Sequence, residues 1–265
     1  MVSAVKLNRV RAQAENSRPY VDNMKMIMRA LCSSMEGAEH PFFTGREVAK
    51  IVLVVITSDR GLCGTFNVNV INEARSFIEE HGEADISIIA VGRKGADALS
   101  YMGFNIEKFY PVPWGADIEP ELKNISTYLI EAFDLERADA IFLLYSRFVN
   151  VLKHDPTAVQ YLPIPPLNEE EKRELLKLSP DFIVEPSIEE LAQQLTPRYL
   201  ETQLYHSLVE SLASEYAARM VSMRNANDNA QEVIDELNLS YNKARQASIT
   251  KELIDIIGGV EALNG

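Results

Sequence analysis

The chain has only two cysteines, Cys32 and Cys63, which form no CxxC pair and have no histidine nearby in sequence. They are read as reduced, buried thiols, which excludes a disulfide framework and a zinc knuckle. Lys and Arg total 26 against 39 Asp and Glu, a net charge of −13. A non-specific nucleic-acid binder needs the opposite balance, because phosphates are neutralised by clustered cations. No run reaches the eighteen or so apolar residues of a membrane span, and Met1-Val2-Ser3-Ala4-Val5-Lys6 lacks the apolar stretch of a signal peptide. The four histidines, His40, His81, His154 and His206, stand singly, with no HExxH or other ligand spacing. Neither a GxSxG elbow nor a GxxxxGK[ST] phosphate loop occurs. No metal or cofactor is expected.

A further absence is more informative. From Arg198 to Ile257 there are sixty residues without glycine or proline, ended by Gly258-Gly259. A continuous helix of that length is roughly 90 Å long, and no compact domain buries such a rod. Residues 1–36 contain a single proline, Pro19, and no glycine. Their apolar positions Val2, Val5, Val10, Tyr20, Met24, Ile27, Met28, Leu31 and Met35 predict a second long helix, kinked or overwound near Pro19.

The turn-forming residues fall between these helices. Eleven of twelve prolines lie from Pro41 to Pro197, and nine of twelve glycines from Gly37 to Gly115. The β-branched run Ile51–Ile56 predicts a strand buried on both faces. Ile86–Val91, Asp139–Tyr145 and Thr157–Leu162 predict three more strands. Val68–Glu80, Lys94–Met102 and Glu119–Phe133 predict the helices. Strands separated by helices indicate an α/β domain with a largely parallel, Rossmann-like sheet. Leu167–Lys177 is charged and is read as a solvated linker. Three parts result: a helix over 1–38, the α/β domain over 39–186 and the long helix over 187–265.

Thr57-Ser58-Asp59-Arg60-Gly61-Leu62-Cys63-Gly64 sits between a strand and a helix, where backbone N–H groups can hold phosphate. It has no lysine and no third glycine, so a structural turn is the stronger reading. In the rod, Met220, Met223, Asn227, Ala230, Ile234, Leu237, Tyr241, Ala244 and Ser248 alternate steps of three and four, as in a coiled-coil seam. Leu204, Leu208, Leu212, Tyr216 and Met220 step by four. The N-terminal helix is the expected antiparallel partner within the chain. A homodimeric coiled coil is the alternative, and Asn227, Ser248 and the alanines weaken it.

The segment Val55-Ile56-Thr57-Ser58-Asp59-Arg60-Gly61-Leu62-Cys63-Gly64, with Ala218-Arg219-Met220-Val221-Ser222-Met223 and the stretch Leu239–Leu253 (LSYNKARQASITKEL), resembles the gamma subunit of F-type ATP synthases. The resemblance covers essentially the whole chain. It implies a rotor shaft with no active site of its own, turned by proton flow through a membrane c-ring. The helix pair would enter the hexamer of alpha and beta subunits, and the α/β domain would sit beside epsilon on the ring. It further implies that Arg219, Arg245, Gln246 and Thr250 touch the alpha/beta hexamer, and that Glu185 meets the c-ring. The location implied is the cytoplasmic face of a bacterial inner membrane, without direct insertion. Family members usually carry about two dozen residues before the match to Met1, so the first helix is expected to be shorter by roughly 35 Å. That would leave the far end of the long helix without its intramolecular cover. No cysteine-bearing insertion of the chloroplast type is present, and thiol regulation is not expected. Two other classes remain on the residues alone: a nucleotide-binding enzyme and a self-associating coiled-coil adaptor.

Overall fold

The computed structural model describes residues 2–34, 42–43, 45–113, 115, 118–165 and 187–264. The chain forms two units, Met1–Val221 and Ser222–Gly265.

The first unit is built on a sheet. Its strands are β1 (Lys50–Ile56), β2 (Asp85–Val91), β3 (Ile106–Tyr110), β4 (Ala140–Phe148) and β5 (His154–Leu162), in the order β3-β2-β1-β4-β5. All pairs are parallel except β4–β5. This is the order of a Rossmann-like sheet with an antiparallel edge strand. Strand β1 is central, which is why its apolar residues run on without alternation. Its side chains still divide by parity. Val52, Val54 and Ile56 enter one core, and Ile51, Leu53 and Val55 enter the other.

Two helices cover the second of these cores. Helix α2 (Phe66–Glu80) contributes Val70, Ile71, Ala74 and Phe77, and α3 (Arg93–Tyr101) contributes Leu99. The larger first core is covered by α1 (Val2–Ser34), α4 (Ile118–Asp134) and the first part of the long helix α5 (Ile188–Asn264). Leu204, Leu208 and Leu212 of α5 are buried there with Leu7, Val10, Met24 and Met28 of α1. The pairing is antiparallel: Lys6 lies over the Tyr216 ring, and Ser17 meets His206. The step-by-four stripe is therefore the face of α5 that packs against α1 and the sheet.

The long helix runs through Pro197 and Gly258-Gly259, beyond the glycine- and proline-free run at both ends. A proline deletes one N–H, and a helical glycine costs about 1 kcal/mol relative to alanine, which the flanking helix formers tolerate. Strand β3 was not anticipated. It is an edge strand whose Glu107, Lys108 and Phe109 are exposed, so its sequence has no apolar run. Helix α1 is continuous through Pro19. Leu167–Lys177 and Glu185 lie outside the described residues, as does the side chain of Cys32. Cys63 is a buried free thiol.

The second unit is the remainder of α5. Its apolar side chains are exposed, including Ile234 (50%), Leu237 (63%), Tyr241 (67%) and Leu253 (55%). The seam read from the sequence is exposed from Met223 to Ser248, while Met220 is half-buried against the first core.

Candidate partner-contact site

The glycine-containing turn after β1 spends its polar groups on itself. Asn67 Oδ1 accepts the Ser58 backbone N–H at 3.0 Å, and the Asn67 amide donates to Ser58 Oγ at 2.8 Å. Asp59 holds two other segments: Oδ1 accepts the Arg93 N–H at 2.9 Å, and Oδ2 accepts the Val112 N–H at 3.1 Å. Thr57 Oγ1 accepts the Gly95 N–H at 2.9 Å. The N-terminal end of α3 is thus occupied by side chains of the turn, whereas α2, the helix that follows the motif, has no side-chain cap at Thr65. Leu62 (φ 63°) and Gly64 (φ 56°) take left-handed conformations and reverse the chain.

That turn is gripped from α5. Arg219 donates to the Arg60 carbonyl at 2.9 Å and to the Gly61 carbonyl at 3.3 Å. It also pairs with Glu215, one turn earlier on the same helix. The side chains of Arg219 and Glu215 are only 15% and 9% exposed. Burial pushes the Glu215 carboxyl above the usual carboxylate range, and the Arg219 charge opposes that shift. A cleft of about 340 Å³ beside this grip is lined by Lys6, Asp59, Arg60, Glu215, Tyr216 and Arg219.

A second buried carboxylate, Glu210, lies five residues before Glu215 on the same helix. Glu210 is 1% exposed, and its Oε1 accepts from Arg18 of α1 at 2.5 Å. Its Oε2 accepts the Phe148 N–H, at the end of β4, at 2.7 Å. His206 Nε2 lies 3.7 Å from Oε1. Burial holds His206 below its usual pKa, only partly offset by Glu210.

The predicted contact residues separate. Arg219 belongs to the first unit and is already engaged by its own chain. Arg245, Gln246 and Thr250 lie on the second unit and are exposed. Gln246 and Thr250 are four apart and share a face, with Arg245 about 100° around the helix from Gln246. Glu185 is outside the described residues. Sequence reading missed Glu210 and Glu215. The available signal was their position: each interrupts the otherwise apolar and small-residue stretch Leu208–Ala218. Among the described residues, no group of three or more His, Cys, Asp or Glu could hold a metal ion. No described helix is long and apolar enough to cross a membrane.

A family model described as ATP synthase matches residues 1–263. The chain is 40% identical to the ATP synthase gamma chain of Pelotomaculum thermopropionicum over 99% of this chain and 90% of that one. It is 39% identical to that of Geobacter metallireducens over 100% and 91%. Among solved structures it resembles a chain of the central stalk and c-ring of Tetrahymena thermophila mitochondrial ATP synthase. There the TM-score is 0.64 and the identity 24%, over 86% of this chain and 96% of that one. A chain from the Euglena gracilis mitochondrial ATP synthase gives 0.59 and 20%, over 98% and 95%. At these identities the structural likeness establishes the fold.

Proposed function

The chain belongs to the family of ATP synthase gamma chains, and from that membership we propose that it is the central rotor shaft of such a complex. The observation that carries this reading is the match to gamma chains across nearly the whole of both partners, helices and α/β domain together. In this role the chain couples proton flow through a c-ring to ATP synthesis, and to hydrolysis in reverse, at the beta subunits. A shaft does so by contacting the conformations of its neighbours differently as it turns, and breaks no bond itself. The turn at Thr57–Asn67 spends the side chains of Thr57, Asp59 and Asn67 on bonds within the fold, which supports a structural part for it.

The helices over 1–38 and 187–265 act as the shaft in this reading, and 39–186 acts as the foot beside epsilon and the c-ring. Arg245, Gln246 and Thr250 contact the alpha/beta hexamer, with guanidinium and amide donors suited to acidic loops. Their exposure supports this assignment. Arg219 contributes through the part of its guanidinium that its own turn leaves accessible, and Glu185 meets the ring. The assembled chain is peripheral, on the cytoplasmic face of a bacterial membrane.

Gel filtration of separately purified alpha and beta subunits, with and without this chain, tests the reading. Co-elution at one chain per hexamer with raised MgATP hydrolysis is expected. No co-elution, also when residues upstream of Met1 are supplied, overturns it.

A further inference from the structure

The role of Glu210 is not explained by stability. A carboxylate at 1% exposure carries a large desolvation cost, and a buried ion pair is often matched or bettered by apolar side chains of similar volume. Apolar side chains are already buried at this level of α5, at Leu208, Val209, Leu212 and Ala213. What a carboxylate supplies and a leucine cannot is direction. One oxygen accepts from Arg18 on α1, and the other accepts the Phe148 N–H where β4 ends. Apolar contacts resist separation but allow sliding, whereas charge-assisted hydrogen bonds fix lateral position.

Neutral links lie on either side along α5. Gln203 Nε2 donates to the Gln160 carbonyl at 3.3 Å, and Ser214 Oγ donates to the Ser146 carbonyl at 2.9 Å. With Glu210 between them, the helix is pinned to β5 and β4 at three points spaced seven and four residues apart. Glu210 is the charged member of this row, and the one that also holds α1.

We infer that Glu210 is a positioning residue for rotary coupling: it locks α5 to α1 and to the end of β4, so that the α/β domain and the helix pair turn without slipping. This rests on the rotor reading above. The domain receives rotation at one place and the helix delivers it at another, so any shear between them loses work.

The test uses the complete membrane-bound complex in vesicles and measures ATP-driven proton pumping per ATP hydrolysed. The double variant Arg18→Met/Glu210→Gln removes the ion pair, leaves no unpaired buried charge, and keeps an amide oxygen for the Phe148 N–H. Its thermal stability and complex yield are expected to stay near those of the unaltered chain, while pumping per ATP falls about fivefold or more. Glu210→Asp, which keeps the charge, is expected to recover part of that loss. Unchanged pumping per ATP in the double variant overturns the inference, as does a loss that merely follows the amount of assembled complex. Failure of the unaltered chain to assemble with alpha and beta overturns the rotor reading instead, so the two failures are distinguishable.

Discussion

Arg219 and Arg60 are 159 residues apart in sequence, yet the guanidinium of the first donates to the main-chain carbonyl of the second at 2.9 Å. The same guanidinium pairs with the buried Glu215, whose charged form Lys6 also favours. Arg219→Ala therefore removes a helix-to-turn clamp and deprives a buried carboxylate of its paired guanidinium. The expected cost is about 3–5 kcal/mol, read as a lower urea midpoint. Adding Glu215→Gln removes the stranded charge and is expected to recover about half. A double variant no more stable than Arg219→Ala would show that the lost grip on the turn, and not the stranded charge, sets the cost.

Gly92 follows β2 at φ 105°, and a Cβ built there would lie 2.4 Å from the Thr57 carbonyl oxygen. Backbone cannot yield as a flexible side chain does. Gly92→Ala is expected to cost about 3 kcal/mol or more, combining the left-handed penalty with displacement of the β1–β2 ends. Gly61, in the neighbouring turn, has nothing within 4 Å of its virtual Cβ. Gly61→Ala is expected to stay within about 0.5 kcal/mol of the unaltered chain. Equal urea midpoints for both would contradict the close approach.

Burial holds both His206 and His154 below their usual pKa. Each is more readily protonated in the unfolded chain, near pH 6.5, than in the folded one. The stabilisation they contribute is therefore complete above that pH and is lost as pH falls through the lower folded value. His206→Gln is expected to flatten the decline of the urea midpoint between pH 7 and pH 5, and His154→Gln to flatten it further. Glu215 acts with the opposite sign. Its folded value is raised, so its contribution is complete below the ordinary carboxylate pKa and is lost as pH rises. An unaltered pH slope in the double histidine variant would refute this account.

The division between what could and could not be read from the sequence follows the range of the interactions. Strand β1 was legible because Ile51–Ile56 is buried on both faces, and a central parallel strand needs no alternation. The stripe Leu204, Leu208, Leu212 was legible because helical spacing reports burial directly. Strand β3 was not, because at an edge only Tyr110 is buried and nothing forces an apolar pattern. Glu210 and Glu215 were not, because a charged residue is buried only where a partner meets it. Arg18 lies 192 residues from Glu210, and although Arg219 is only four residues from Glu215, the turn carbonyls that hold Arg219 lie 158 and 159 residues from it. Local spacing carries no record of either encounter. For Arg245, Gln246 and Thr250 the situation is reversed: the resemblance marked them, and the chain by itself leaves them exposed.

That exposure makes the last prediction separable from folding. Arg245, Gln246 and Thr250 are exposed, so alanine at each is expected to change the chain's stability by less than about 0.5 kcal/mol. In the contact proposed for them with the alpha/beta hexamer, the same substitutions would remove hydrogen-bond donors. Contacts of that kind are worth about 1.5–3 kcal/mol each when one partner is charged. Arg245→Ala is therefore expected to lower ATP synthesis or complex yield more than Thr250→Ala, whose hydroxyl forms only a neutral bond. Gln246→Ala should behave like Thr250→Ala if they act on one partner surface, since they share a helical face. The urea midpoint of the isolated chain, the complex yield and the synthesis rate should be measured on the same preparations. Loss of stability in the isolated chain would show that these residues serve the helix itself. Unchanged yield and synthesis in all three variants would remove them from the contact with alpha and beta, and Arg219 would be left as the candidate on this helix.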